Sequence, residues 1–599
     1  MRVRTAFPGR LAQRAGALTL VALCSAQACA AGQAEIRTSG SITYGQVVRV
    51  QQRDPGLLFG PNAAAIGVRG SGGGSNADDA NTNYGRHDAA SRAIKGWFEV
   101  SATQAGWSAL LRVKAWRDVG LLHDARPWGN LANAYAAGQP LSDAGAPRLS
   151  RFSGVVLLDA WLQGRMQAGD VKLMGRIGQQ TLAWGTHSLS PGGLEALNPR
   201  DLPAQRRAGS VPAETVVPRP MLFGRIEPRP GFGLEAFYQS GFRPTAFDMC
   251  GTLWSMSDYL VDGCNRVMAG APFVSDRARM PLGAYIARLP TPKPAGAEFG
   301  FAATWSTGLA GTTFGLYHAR HHARAALPVL RRSLRPGGPA LIAGDPDGAN
   351  MAYFTEHAER LRISALTVTH QAGPATLQGE LSYRPAATFM LAPGDVLPPF
   401  LNAGAPSQLR ARADAVAPGG VFRGYDLHPM WQAQLGLRSE AAWGGLPLAT
   451  GVEVVGKRAQ GLPAPDVLRY GRADVFGVGP VAGACTVTTA DAARQCSLRG
   501  YVTPQAWGYR LRLDARLPSS WTGSSPQLQG AASVVFAHDV RGWSGDFLLN
   551  EGRKTLGLGL RFEYRQRYLA EFGYSPGWGG DYHAAADRDT ASLALGLKF

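Results

Sequence analysis

The sequence predicts an all-β protein, a transmembrane antiparallel β-barrel of about 18 strands with long extracellular loops and short periplasmic turns. Three observations carry that expectation. The last nine residues, "ASLALGLKF", alternate strictly: Leu593, Leu595, Leu597 and Phe599 fall on one face, and Ser592, Ala594, Gly596 and Lys598 on the other, the period of two of a β-strand. Alternating runs of this kind recur in pairs joined by a few turn residues, and each pair is followed by a long polar stretch. No stretch of apolar residues beyond the N-terminal segment is long enough for a membrane helix, which takes about 20, so any crossing is made by strands.

The elements follow in chain order. At the N-terminus, Arg2, Arg4, Arg10 and Arg14 precede a short apolar run from Ala15 to Cys24 and then a small-residue stretch. This reads as a secretory signal peptide over residues 1–30, with Ala28-Cys29-Ala30 as the cleavage site, which leaves residues 31–599 as a single barrel domain. The segment carries four arginines and no acids, so the exported part stays basic against the whole chain's +18. On an exported chain that sign does not point to nucleic acid, and no nucleic-acid partner is expected. The first strand is "AEIRTSGSITYGQVVRV", Ala34 to Val50. It is expected to pair with the last one, because a closed barrel leaves no unpaired apolar edge.

Between these two, examples of the tight turns are "TQAGW" (Thr103 to Trp107), "MQAGD" (Met166 to Asp170), "PRPG" (Pro228 to Gly231), "STGLAG" (Ser306 to Gly311), "HQAGP" (His370 to Pro374) and "AWGGLP" (Ala442 to Pro447). The long connections cover residues 52–93, 120–151, 182–217, 244–295, 323–356, 388–424, 459–505, 539–553 and 576–589. One run before the first of them, a hairpin between each successive pair and one final run make about 18 strands, an even number as outer-membrane barrels have.

Alternation also assigns faces. "WSALLRVKAW" puts Trp107, Ala109, Leu111 and Val113 outward with Arg112 and Lys114 inward, and "VKLMGRIGQ" puts Lys172 and Arg176 inward. In "YRLRLDARL", Tyr509, Leu511, Leu513, Ala515 and Leu517 face out while Arg510, Arg512, Asp514 and Arg516 face in; in "LGLGLRFEYR", Arg561, Glu563 and Arg565 face in. A charge on the lipid face at the bilayer midplane costs ~2 to 4 kcal/mol, which fixes the sense of each assignment. The expected lumen is polar and predominantly basic.

Four cysteines follow the signal segment as two close pairs, Cys250 with Cys264 and Cys485 with Cys496. In an oxidising compartment these read as two loop-stapling disulfides, each contributing about 3 kcal/mol by the loop-entropy model. Their spacing does not suit zinc. "GVEVVGKR" (Gly451 to Arg458) nearly spells a phosphate-binding loop, but Arg458 stands where Ser or Thr is needed; it reads as a strand with Glu453 and Lys457 inward. "DDANTNYG" (Asp78 to Gly85) and "GDPDGAN" (Gly344 to Asn350) carry oxygen ligands at alternate positions, as calcium loops do. Neither has the glutamate at the twelfth position, and turn-forming Asx residues in surface loops are the commoner explanation. Around "YHARHHARAALPVLRRSLRPGG" (Tyr317 to Gly338), His318, His321, His322, Arg320, Arg324, Arg331, Arg332 and Arg335 suggest a basic rim facing acidic surface glycolipid or an anionic solute; His318 and His322 share a face, but no metal site is expected. No catalytic constellation is found. His187, Ser188, His538 and Asp539 are scattered loop residues, and neither enzymatic activity nor a cofactor is expected.

The connection from Trp184 to Pro218 is rich in Gly and Pro and carries Arg200, Asp201, Arg206, Arg207 and Glu214. It is expected to fold into the lumen as a constriction, since about 18 strands enclose a channel that something must narrow. The other course would lie outside, over the barrel mouth.

From Gly175 the chain reads "GRIGQQTLAWGTHSLSPGGLEALNPRDLPAQRRAGSVPAETVVP", then "LEAFYQSGFRPTAFDMCGTLWSMSDYL". Together with "DDANTNYG" these stretches resemble a Gram-negative outer-membrane family catalogued as domain of unknown function 1302, over essentially the whole exported chain. Ala80 and Thr82 stand where that family more often has Gly and Leu, and Ser210-Val211 interrupts its usual acidic stretch. The resemblance implies an outer-membrane barrel encoded beside envelope partners, among them a periplasmic or lipoprotein companion and a large export pump. The reading that results is a channel in outer-membrane lipid, passing anionic or amphipathic small molecules through a basic lumen. The alternative is a non-conducting envelope component that docks a periplasmic lipoprotein or export pump for lipid-like cargo, its lumen charges neutralised by inserted loops.

Overall fold

The computed structural model describes residues 34–599 apart from 186–188, 271–272, 309–310, 522 and 524. The leader expected over residues 1–30, and His187 and Ser188, lie outside the described residues. Strands β1 (Glu35–Arg49), β2 (Ala89–Gln104), β3 (Trp107–Asp118), β4 (Ser153–Ala168), β5 (Val171–Gln180) and β6 (Arg219–Arg229) form the first third of the wall. The second third is β7 (Phe232–Gln239), β8 (Glu298–Ser306), β9 (Thr312–His321), β10 (Leu361–Ala372), β11 (Ala375–Met390) and β12 (Tyr425–Trp443). The last is β13 (Leu446–Ala459), β14 (Gln505–Leu517), β15 (Leu528–Arg541), β16 (Lys554–Tyr564), β17 (Tyr568–Ser575, resuming at Gly577–Trp578) and β18 (Thr590–Lys598). The break in β17 is at Pro576, which has no N–H to give to the ladder.

Each strand pairs antiparallel with its neighbours, and β1 pairs with β18 from Ser41↔Lys598 to Arg49↔Thr590, so the 18 strands close. The C-terminal residue takes part in the closure: Gly40 N donates to Phe599 O (2.9 Å), and Phe599 N to Gly40 O (3.1 Å). A glycine is required there, because a Cβ on residue 40 would stand 2.7 Å from the Phe599 ring. The strict alternation that runs to the end of the sequence is a strand whose edge is covered by the first one.

Outward positions are apolar around the wall. Ile42, Phe301, Leu316, Leu435, Val454, Leu511, Leu560 and Leu595 are among the exposed side chains, and the faces assigned from alternation in β3, β5, β14 and β16 are the ones observed. Arg565 is the exception. It lies past the end of β16, in the turn to β17, at φ +52° and bonded through Nε to Gln527 Oε1 (2.8 Å), so it does not face the lumen. The alternation in the sequence continues one residue beyond the point where the chain turns, and His538 and Asp539, expected in a loop, lie inside β15.

The long connections do more than link strands. Three of them supply a second sheet of five short strands, in the order Val421–Arg423, Leu327–Arg331, Ala352–Glu356, Tyr285–Arg288 and Arg266–Met268, and the sheet forms a cap at the long-loop end. Its core includes Ile286, Leu330, Tyr353 and Phe422. A second core gathers Tyr84, Trp128, Tyr135, Leu253 and the Cys250–Cys264 disulfide, and Cys485 bonds Cys496, so both expected pairings form. Part of the expected basic rim is interior: His321, His322 and Arg324 are buried, with His322 N donating to Glu298 Oε1 (2.7 Å) and Arg324 Nη1 to Glu298 Oε2 (3.0 Å), while His318 is exposed and Arg320, Arg331, Arg332 and Arg335 are half-buried. One buried carboxylate, Glu298, holds the Arg324 side chain and the His322 backbone inside, which residue type alone does not indicate. "GDPDGAN" is the exposed turn it was read as, with Asp345 Oδ1 accepting from Asn350 N (2.9 Å) and Arg335 Nε donating to Asp347 (2.8 Å). "DDANTNYG" is not: its residues 79–83 form a short helix, fully buried.

Candidate functional site

The connection between β5 and β6, residues 181–218, enters the barrel and crosses it. Asn198 starts the inward course by bonding both the N–H (3.1 Å) and the C=O (2.8 Å) of Leu182, which closes residues 182–198 into a sub-loop. The tip of that sub-loop rests on the wall at β11 to β13. Leu189 N and Ser190 N donate to the two oxygens of Glu453 (2.9 and 2.8 Å), Leu194 N donates to Glu380 Oε1 (2.8 Å), and Arg384 Nη2 donates to Gly193 O (2.9 Å). Two wall carboxylates thus accept from three backbone N–H groups of the sub-loop. Gly193 is required by this contact: its φ is +56°, and a Cβ would lie 1.9 Å from Glu380 Oε1. Trp184 wedges the entry, its Nε1 donating to Glu235 Oε2 (2.8 Å) and its ring packed edge-on against Phe237 and Tyr317.

The second half of the connection rests on the opposite wall. Asp201 caps the helix Leu202–Arg206 by accepting from Ala204 N (2.9 Å), and its other oxygen accepts from Lys114 Nζ of β3 (2.6 Å). Lys114 also donates to Glu214 O (2.9 Å), while the Glu214 carboxylate takes Lys95 Nζ of β2 at 2.5 Å. Arg207 lies over the Trp116 ring, 4.9 Å from its centroid, and Gly209 packs on Thr43 of β1 and Ala594 of β18. The loop therefore spans from β11–β13 to β18 and β1–β3. Arg200 and Arg206 stay nearer solvent, paired with Glu195 (2.8 Å) and Asp248 (4.0 Å). Beside the loop, under the cap, is a cavity of about 1500 Å³ that touches Arg206, Pro212, Trp254, Trp543, Glu571 and Arg588.

The inward cations are largely matched. Arg112 pairs with Glu99 and Asp159, Lys172 with Glu227 (3.6 Å), Arg510 with Asp539 (2.7 Å), Arg512 with Asp514 (2.6 Å) and Arg561 with Glu571 (2.8 Å). Arg176 is not ion-paired among the described residues: it bonds Gln163 Oε1 (2.6 Å) and lies over the Trp161 ring. Arg516 is exposed and is not among the ion-paired cations of the described residues. Among the described residues many of the lumen cations are therefore ion-paired, while Arg176 and Arg516, and also Arg165, Arg384 and Arg438 on the inner faces of β4, β11 and β12, stand outside those ion pairs. Lys95 and Glu380 were not singled out from sequence, although the alternation in "RAIKGWF" and "LQGELSY" puts both on the inner face.

Among curated proteins, none matches the chain. Among solved structures it is similar to OccK1 (OpdK) of Pseudomonas aeruginosa, at 10% identity over 94% of this chain and 98% of that one, with a TM-score of 0.35. It is similar also to OccK2 (OpdF) of the same organism in complex with glucuronate, at 11% identity over 94% and 97% of the two chains with a TM-score of 0.34, and to Acinetobacter baumannii OccAB3, at 9% over 94% and 99% with 0.38. These likenesses carry no residue and no ligand across to this chain. The family model described as "Protein of unknown function (DUF1302)" matches residues 11–599, and the chain belongs to that family.

Proposed function

We propose that this barrel sits in the outer membrane and passes anionic or amphipathic small molecules along a lumen narrowed by residues 181–218. The observation that carries the reading is the anchoring of that loop on opposite walls, by Lys114–Asp201 on one side and Glu453 and Glu380 on the other. A segment held at both ends across a barrel sets the width of the path and presents its own side chains to whatever passes. The apolar outer face supports a lipid environment, and closure leaves no unpaired backbone for lipid to meet. Half-buried Arg176 and exposed Arg516 supply the attraction for carboxylate or phosphate, weak enough in contact with water to release it.

The ion-pair lattice favours a second reading, a non-conducting envelope component that docks a periplasmic lipoprotein or export pump and handles lipid-like cargo. Most of its inward charge is already satisfied, as that role requires. Single-channel recording of the folded protein in planar bilayers separates the two. Stepwise anion-selective openings, with selectivity reduced in R176Q/R516Q, are expected of the channel. Silence from folded barrels, wild type and variant alike, rejects it and leaves the docking role.

A further inference from the structure

The buried "DDANTNYG" segment meets a third carboxylate from a distant loop. Asp78 and Asp79 begin the helix Asp79–Asn83 in the β1–β2 connection, and Asp258 comes from the β7–β8 connection. The three are 0%, 0% and 2% exposed, and one carboxylate oxygen from each lies within 4.8 Å of the others. Oxygens sharing one calcium at roughly 2.4 Å stand no more than about 4.8 Å apart.

Their hydrogen bonds leave oxygens over. Asp78 accepts from Phe59 N (2.9 Å) and Asn62 Nδ2 (3.0 Å); Asp79 Oδ1 accepts from Trp128 Nε1 (2.7 Å); Asp258 Oδ2 accepts from Asp79 N (3.3 Å). Asp79 Oδ2 and Asp258 Oδ1 are fully buried with no hydrogen-bond partner. The cationic side chains nearby are engaged elsewhere: Arg279 pairs with Asp276 (2.8 Å), and Arg588 donates to Ser255 O (2.8 Å). Asp276 and Asp474 add negative charge to the surroundings. Three crowded, buried carboxyl groups with two unpartnered oxygens are costly unless a cation joins them.

We propose that Asp78, Asp79 and Asp258 bind one calcium ion, which pins the β1–β2 connection to the β7–β8 connection inside the cap. The donors are all oxygen, which selects a hard cation over zinc or copper. Burial leaves little room for the several waters that magnesium retains, which selects calcium over magnesium. The neighbouring contacts make the site a junction: Asn83 Nδ2 donates to Gly129 O (2.6 Å) and Gly251 O (3.1 Å), so a third connection converges on the same helix.

The test uses the full-length barrel in detergent, free of lipopolysaccharide and stripped with EDTA. Terbium is added and excited through the indole of Trp128, which already touches Asp79. Expected are a saturable signal at one equivalent, displaced by calcium and not by equal magnesium, and a higher thermal midpoint in calcium than in EDTA. In D79N/D258N the signal is lost and the midpoint no longer depends on calcium, yet in EDTA this variant is at least as stable as wild type because the repulsion is gone. Equal wild-type midpoints in calcium and EDTA, or terbium luminescence that persists in the variant, overturn the proposal. The wild-type comparison stands by itself if the variant does not fold.

Discussion

Lys114 Nζ lies 2.6 Å from Asp201 Oδ2, and the two side chains are 2% and 1% exposed. One is on β3 and the other on the inserted loop, so the pair holds the loop to the wall where no water screens it. Removing one partner of a buried ion pair leaves an uncompensated charge, at a cost of about 3 to 5 kcal/mol. Asp201→Asn is therefore expected to release the second half of the loop, seen as new protease cleavage within residues 199–217 while the strands stay protected. Replacing both partners by apolar residues, K114M/D201L, is expected to restore most of the protection, since it leaves no orphaned charge. Cleavage no faster in D201N than in wild type would show that the pair does not hold the loop.

The wall was legible in the sequence because a strand with an apolar outer face and a polar inner face must alternate, and β14 and β16 repeat that constraint along their length. The cap was not. Leu327–Arg331 and Ala352–Glu356 are too short for a period to show, and their sheet joins three connections distant in sequence. For the inserted loop, Gly and Pro content and barrel width indicated the direction of folding. Its anchors required knowing which inward carboxylates would meet it: Glu453 and Glu380 look like any other lumen acids until Leu189, Ser190 and Leu194 bring their N–H groups to them. Charge sign was legible and charge pairing was not, because Asp539, which neutralises Arg510, lies at the far end of the next strand.

That pairing separates two arginines that alternation treats alike. Arg510 is buried against Asp539, which also accepts from Arg553 Nε (2.7 Å), whereas Arg516 is exposed near the opposite end of β14. Arg510→Gln is expected to destabilise the barrel by about 2 to 4 kcal/mol, read as a lower urea midpoint, with little change in ion selectivity. Arg516→Gln is expected to do the reverse, lowering anion preference with the midpoint within about 0.5 kcal/mol of wild type. Finding the same profile for both variants would mean that the ion-pair lattice does not govern which charges act on solutes.

The two disulfides close loops of similar length, with sequence separations of 14 and 11, so loop entropy alone gives each about 3 kcal/mol. Burial distinguishes them. Cys250 and Cys264 are fully buried with Trp128, Leu253 and Met249, while Cys485 and Cys496 are part-exposed. Mild reductant is expected to open Cys485–Cys496 first, as mass-tagged thiols would report. C250A/C264A is expected to destabilise the cap by about 1 to 2 kcal/mol more than C485A/C496A, since it loses core packing as well as the cross-link. Equal hydrogen-exchange protection of the cap in the two double variants would count against this ranking.

His583, in the connection between β17 and β18, gives the cap a dependence on acid. Burial, with Arg553 and Arg588 close by, lowers its pKa from 6.5 to about 3, and its Nδ1 is buried without a hydrogen-bond partner. A histidine held neutral in the folded state contributes its full stability above about pH 6.5. That contribution is lost as pH falls toward 3, because the unfolded chain takes up the proton first. At pH 4.5 the loss relative to pH 7.5 is about 3 kcal/mol. Buried carboxyls work in the opposite sense over the same range, Asp474 with its pKa raised to about 6 among them, so the measurement is a difference. Hydrogen exchange in residues 579–589 at pH-corrected rates is expected to accelerate on acidification more in wild type than in His583→Gln. Parallel pH profiles for the two proteins would show that His583 is protonated in the folded cap without penalty.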